Sequence, residues 1–214
     1  MRVFVTGATG YIGRPLADEL LRLGHAVRAL VRPGSEGKLA PGCEAVIGDA
    51  LDASTFQDRV APADAFVQLV GVAHPGPAKA PQFRTVDLAS VRASVAAAAS
   101  SQVGHFVYVS VAHPAPTMQA YIAVRTEVEE AIRTSGLSAT ILRPWYVLGP
   151  GRRWPLLLVP AYWLMGALPA TRESAQRLGL VTLPQMITTM ANAVEKPPNG
   201  VRVVDVPGIR LSRL

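Results

Sequence analysis

The sequence predicts an α/β fold, a doubly wound parallel sheet with a small C-terminal cap, and three observations carry that prediction. Short apolar runs that read as buried strands alternate with helical stretches from Arg2 to Leu142, the pattern of parallel strands joined by right-handed helical crossovers. The first run passes straight into glycines at 7, 10 and 13. Hydrophobic residues fill 50% of the 214 positions and charged residues 17%, enough apolar surface for a sheet covered on both faces.

Taken in order, Val3 to Thr6 reads as a buried strand and Arg14 to Leu23 as a helix with Leu16, Leu20 and Leu23 on one face. Gly24 ends that helix, and Ala26 to Val31 forms a second strand finishing at Arg32. A loop rich in Pro, Gly and Ser leads to a third strand, Glu44 to Ile47, followed by Gly48-Asp49 and a short helix over Ser54 to Val60. The fourth strand, Ala65 to Val70, ends in Gly71, and the Pro-rich stretch Val72 to Pro81 reads as an irregular loop over the carboxyl edge of the sheet. An alanine-rich helix over Gln82 to Gln102, a fifth strand His105 to Ser110, a helix over Met118 to Ser135 and a sixth strand Ala139 to Leu142 complete the regular part.

Beyond Pro144 the alternation loosens. The chain is expected to form a single domain over 1–214, with 145–180 as a cap or lid within it. Trp154 to Thr171 carries no charge, but Pro155, Pro160, Gly166 and Pro169 interrupt it. Trp154 to Leu168 therefore reads either as a short helix over the site or as a contact to a protein partner or membrane surface, and not as a membrane span. Gly179 to Thr182, a helix over Pro184 to Val194 and a strand over Arg202 to Val206 close the sequence.

The net charge of +6 is spread along the chain, with Arg152-Arg153 the longest basic run, so nucleic acid is not an expected partner. The single Cys43 excludes an intramolecular disulfide, and a strand beginning at Arg2 leaves no room for a signal peptide ahead of the fold. A cytoplasmic location is the simplest expectation, no metal site is expected, and the oligomeric state is not encoded in any recognisable feature.

The glycines carry the chemistry. Gly7 permits a sharp turn, Gly10 leaves no Cβ between a diphosphate and the opening turn of the next helix, and Gly13 allows close helix packing. The helix N-terminus then offers free N–H groups and a positive dipole end to phosphates. The ligand expected at such a Rossmann-type turn is a dinucleotide. At the end of the second strand, Arg32 stands where a carboxylate would bind the ribose 2′-hydroxyl of NAD; an arginine suits the 2′-phosphate of NADP(H), which is the preferred cofactor on this reading. Asp49 is placed either beside the adenine or in a loop-shaping turn, and Leu69, Val70 and Gly71 offer small apolar backbone to a ribose.

Thr6-Gly-Ala-Thr-Gly-Tyr-Ile-Gly13, Gly48-Asp49, Ser110, a Tyr121-x-x-x-Arg125 frame, Ser135-Gly-Leu137, Thr140-Ile-Leu-Arg-Pro144 and Gly149-Pro-Gly151 together resemble an atypical short-chain dehydrogenase/reductase. The likeness is strongest to the branch holding NmrA-like redox sensors, isoflavone-reductase-like enzymes and the dehydrogenase-like accessory subunit of respiratory complex I. The resemblance implies a dinucleotide held by Gly7, Thr9, Gly10, Tyr11, Ile12 and Gly13, by Arg32 and Asp49 at the adenosine end, and by Tyr121, Arg125 and Pro144 toward the nicotinamide. It also implies catalysis by Tyr121 as proton donor or acceptor and Ser110 as carbonyl polariser. Arg125 replaces the family's lysine: its charge can bind ribose hydroxyls and favour a tyrosinate, but it cannot pass on a proton. Gln185 stands where related sequences often carry aspartate. His74 and His113 read either as acid–base groups or as loop histidines.

Three functions share this frame. The first is an NADP(H)-dependent oxidoreductase acting on a small, unidentified carbonyl or alcohol, and the second is a non-catalytic NADP(H)-binding redox sensor or assembly subunit. The third, a sugar-nucleotide epimerase or dehydratase, calls for a larger substrate domain than this sequence offers.

Overall fold

The computed structural model describes residues 1–152, Leu157, Met165 and 169–212. Seven parallel strands form the sheet: β1 (Arg2–Thr6), β2 (Ala26–Val31), β3 (Glu44–Ile47), β4 (Ala65–Gln68), β5 (His105–Val109), β6 (Ala139–Leu142) and β9 (Val201–Val204), in the order β3-β2-β1-β4-β5-β6-β9. The order reverses between β1 and β4, so the carboxyl ends of these two central strands open a crevice between oppositely wound halves. Register runs Val5 to Ala29 on one side and Val5 to Val67 on the other, then Val67 to Val107.

Alternation along the strands separates two cores. Val3 and Val5 pack with Leu16 and Leu20 of α1 (Gly13–Arg22) and with Met186 and Met190 of a late helix. Phe4 points to the opposite face and joins Phe66 and Phe106 in a ladder across β1, β4 and β5, with ring centroids 5.1 and 5.4 Å apart. Val91 of α3 (Ala89–Ser100) and Val128 of α4 (Gln119–Thr134) cover that ladder. Helices thus lie on both faces, as the doubly wound class requires.

The departures from the sequence reading have local causes. The expected helix over Ser54 to Val60 is a pair of 3₁₀ turns, Ala53–Thr55 and Gln57–Arg59, the first capped by the Asp52 side chain accepting from Ser54 N–H. The long helix before β5 begins as a single turn, α2 (Ala80–Gln82), and passes through a π-helical stretch, Phe83–Leu88, before α3. β4 stops at Gln68; Leu69 N–H still donates to Thr6 O at 3.1 Å, and Val70 and Gly71 leave the ladder.

After β6 the chain makes β7 (Tyr146–Leu148), α5 (Pro169–Arg177) and β8 (Leu180–Thr182), and β7 pairs with β8 in a separate parallel ribbon. Then come α6 (Leu183–Glu195) and α7 (Val206–Leu211). α7 takes residues expected at the end of the last strand because Asp205 caps it, accepting from Gly208 N–H, and Pro207 suits a first helical turn. The helix expected over Trp154 to Leu168 falls almost wholly outside the described residues. No helix among them is long and apolar enough to cross a membrane.

The tightest packing lies where β1 turns into α1. A Cβ on Gly13 would run into the Gly7 carbonyl oxygen and Ala8 Cα. Gly13→Ala is therefore expected to destabilise the protein by about 1–3 kcal/mol through overpacking, read as a lower midpoint in urea; an unchanged midpoint would mean that α1 can lift off the turn freely.

Candidate functional site

Gly7 adopts φ +75°, and a Cβ there would stand 2.9 Å from the carbonyl carbon of Leu69. The ends of β1 and β4 can approach this closely only without a side chain. Within the turn, Gly10 N–H donates to Gly7 O at 3.0 Å and Arg14 N–H to Gly10 O at 3.1 Å. The N–H groups of Tyr11 and Ile12 have no protein acceptor among the described residues, and they open α1, whose dipole favours an anion. Thr9 and Arg32 are exposed, and Arg32 makes no ion pair among the described residues. Asp49 closes its own loop: its carboxylate accepts from Leu51 N–H at 3.0 Å, and its N–H donates to Thr55 Oγ1 at 2.9 Å.

Along the crevice, the chain after β4 lies over a buried ion pair. Arg125 Nη2 donates to Asp87 Oδ1 at 2.6 Å, while Nη1 donates to the Tyr108 hydroxyl at 2.6 Å and to Val109 O at 2.8 Å. Asp87 belongs to the π-helical stretch, a backbone form often found at functional sites. A Cβ on Gly71 would be 2.8 Å from Asp87 Oδ1 and 2.9 Å from Arg125 Nη2, so the glycine makes room for the pair. Burial opposes the Arg125 charge, but Tyr108, Tyr121 and Asp87 hold the guanidinium protonated. Burial pushes the Asp87 carboxyl up, while Arg125 and Val72 N–H pull it back.

Tyr121 packs its ring 4.9 Å from that of Phe83, and the Arg125 guanidinium lies 4.8 Å from the Tyr121 centroid. Burial raises the Tyr121 phenol above its ordinary value, with Arg125 opposing, so the phenol is protonated at neutral pH.

Ser110 belongs to a different network. Its Oγ donates to Glu129 Oε1 at 2.7 Å, and Glu129 also accepts from Arg143 Nε at 2.9 Å and from Arg133 Nη2 at 3.1 Å. His113 Nε2 stands 3.5 Å from the same carboxylate. Pro144 O accepts from Ala112 N–H at 2.9 Å, fixing the start of the loop. Beyond these residues a cavity of about 210 Å³ opens, lined by His113, Arg143, Arg177 and Asp205 among others. The structure therefore brings Tyr121 and Arg125 together, while the Ser110 hydroxyl is bound to Glu129.

A family model described as NAD(P)H-binding matches residues 7–152, the span from the first turn glycine to the end of the β7 segment. The chain belongs to this family. Its fold is that of solved short-chain dehydrogenase/reductase superfamily proteins. The NAD⁺ complex of WbmH from Bordetella bronchiseptica superimposes with a TM-score of 0.71 at 20% identity, covering 95% of this chain and 75% of that one. A short-chain dehydrogenase/reductase superfamily protein from Agrobacterium tumefaciens with bound NAD gives 0.70 at 18% identity, covering 95% and 76%. In sequence the chain is similar to a ceramide reductase of Caulobacter vibrioides, 32% identical over 70% of this chain and 47% of that protein. It is also similar to a 3-diazoavenalumate denitrifying reductase of a Streptomyces species, 30% identical over 71% and 58%. The chain spans about half the length of these curated relatives.

Within this NAD(P)H-binding fold, two buried carboxylates that organise the site, Glu129 and Asp87, were absent from the sequence reading. Glu129 could have been found, since Tyr121, Arg125 and Glu129 recur every four residues along one face of α4. Asp87 gives no such signal, because the π-helical stretch shifts its phase. Gln185 completes a capping box with Thr182 at the start of α6, which accounts for an amide there. His74 lies exposed in the loop after β4 with φ +50°.

Burial alone would raise the Glu129 carboxyl, but hydrogen bonds from Arg143 and Ser110, with the charges of Arg143 and His113, bring it below the usual range. A lowered folded-state pKa stabilises the fold above the unfolded value, and that stability is lost as the pH falls through the folded value. Glu129→Gln should therefore cost on the order of 2–3 kcal/mol at neutral pH, by uncovering Arg143 and Arg133. The deficit should shrink on acidification below the carboxylate range; a deficit independent of pH in denaturant titrations would assign the loss to packing instead.

Proposed function

We propose that this chain is an NADP(H)-dependent reductase of a small carbonyl compound, with Tyr121 as proton donor. The observation that carries the reading is the protonated Tyr121 phenol held against the permanently charged Arg125. The glycine turn fits the cofactor, since the free Tyr11 and Ile12 N–H groups face a cradle that a Cβ at Gly7 or Gly13 would disturb. When bound, the reduced nicotinamide supplies the hydride. Tyr121 holds the proton at its Oη and gives it to the carbonyl oxygen, and Arg125 stabilises the tyrosinate until solvent returns a proton. A phenol with a raised pKa suits reduction better than the reverse reaction, and the names of the curated relatives support the same direction. Ser110 has committed its proton to Glu129, so Tyr121 is the main polarising group.

Arg32 supports NADP(H), because it stands exposed at the end of β2 with no carboxylate partner among the described residues. Several structural neighbours carry NAD, so this preference rests on the chain's own arginine. One observation favours the second reading, a nucleotide-binding redox sensor or assembly subunit. Arg125 spends its terminal N–H groups on Asp87, Tyr108 and Val109, and so has little left for a ribose.

Absorbance at 340 nm with NADPH and a carbonyl panel separates the two. The reductase reading expects turnover that falls about 100-fold or more in Tyr121→Phe; tight binding without turnover would transfer the assignment to the sensor. Arg32→Glu is expected to weaken NADPH at least tenfold more than NADH, through the lost charge-assisted contact, and equal losses in fluorescence titration would remove the NADP(H) preference.

A further inference from the structure

Tyr11 contributes a side chain to the glycine turn as well as a free N–H. Its ring passes beneath the segment that follows β7, and its hydroxyl is buried with no hydrogen-bond partner among the described residues. A Cβ on Gly149 would strike that hydroxyl, so the absent side chain lets the segment settle onto the ring. Gly149 O then accepts from Arg152 N–H at 3.0 Å, folding the chain back. This turn sets the Arg152 guanidinium 4.1 Å from the Tyr11 ring centroid.

The electrostatics of that guanidinium are one-sided. Arg125 and Arg143 both answer buried carboxylates, but Arg152 makes no ion pair and its side chain donates no hydrogen bond among the described residues. It is half-buried, on an aromatic face. Stacking on a tyrosine ring satisfies a guanidinium face and leaves its five in-plane N–H donors unspent. These donors sit beside the residue whose backbone N–H, with that of Ile12, opens α1. The turn itself offers only neutral donors, since no lysine or arginine occurs between Thr6 and Gly13.

We propose that Arg152 is a phosphate-binding residue, held by the Tyr11 ring over the glycine turn so that it donates to the diphosphate of the dinucleotide. The inference rests on dinucleotide binding alone, and a chain that binds without turnover would leave it intact. Arg152 supplies the charge that the turn lacks, while the Tyr11 and Ile12 N–H groups set the position of the phosphates.

Fluorescence or calorimetric titration of the full chain with NADPH and with NADH tests this directly. Arg152→Gln is expected to weaken both nucleotides by the same factor, about ten- to a hundredfold, and to flatten the salt dependence of binding; Arg152→Lys should restore part of the loss. Unchanged affinity for both nucleotides would overturn the proposal. A loss confined to NADPH would also overturn it, by assigning the guanidinium to the 2′-phosphate. Tyr11→Leu keeps the backbone N–H and removes the ring. Combined with Arg152→Gln it should add little further loss, and strictly additive effects would disprove the ring's role in holding the guanidinium. Thermal melts of each variant confirm that folding is retained.

Discussion

The buried guanidinium of Arg125 is the interaction on which the carboxyl edge of the sheet depends. One side chain ties together the strand end at Val109, the Tyr108 hydroxyl, the π-helical Asp87 and the ring of Tyr121. Arg125 and Asp87 are 7% and 0% exposed in their side chains, so each would be costly to bury alone. A planar fork can meet three acceptors in fixed directions, which a lysine ammonium on a flexible stem does less well. The arginine is thus suited to hold β5, α4 and the loop after β4 in one arrangement, and that function competes with reaching outward to a ribose.

A second buried centre follows along the same helix. Arg125 and Glu129 are one turn apart on α4, yet they anchor clusters of opposite character. In the first a cation is surrounded by a carboxylate and two phenols, and in the second a carboxylate is surrounded by Arg133, Arg143, Ser110 and His113. The first cluster is neutral overall, whereas the second keeps a net positive charge from its two arginines. Tyr121 falls in the first cluster and Ser110 in the second. The two side chains that the sequence reading grouped as one catalytic set are thus tied to different buried charges.

What the sequence made legible was local and periodic. The glycine spacing, the amphipathic face of α1 and the order of strands through β6 all depend on neighbours within a few residues, and these lie where the pattern puts them, while the helical segments after β3 and before β5 differ in type. The partners of the buried charges depend on contacts between distant segments: Asp87 meets Arg125 across 38 positions, and Gly71 matters because of what lies beneath it. The late elements were obscured for another reason. β7 and β8 have only three residues each, too few to show a period of two, and α7 is started by the cap at Asp205 more than by any apolar face.

The same contrast applies to nucleotide recognition. The glycine turn fixes geometry with neutral N–H donors and absent side chains, features that are contiguous in the chain and hence readable. On the proposed reading positive charge comes from elsewhere: Arg32 at the end of β2, and Arg152 beyond β7, laid on the ring of Tyr11. Neither arginine touches the Tyr121–Arg125–Asp87 cluster among the described contacts. The proposed phosphate contacts and the proposed proton donor therefore sit on separate elements. A fold arranged in this way can retain its dinucleotide while the residues at the nicotinamide end change, because the substitutions that alter the chemistry leave the phosphate cradle untouched.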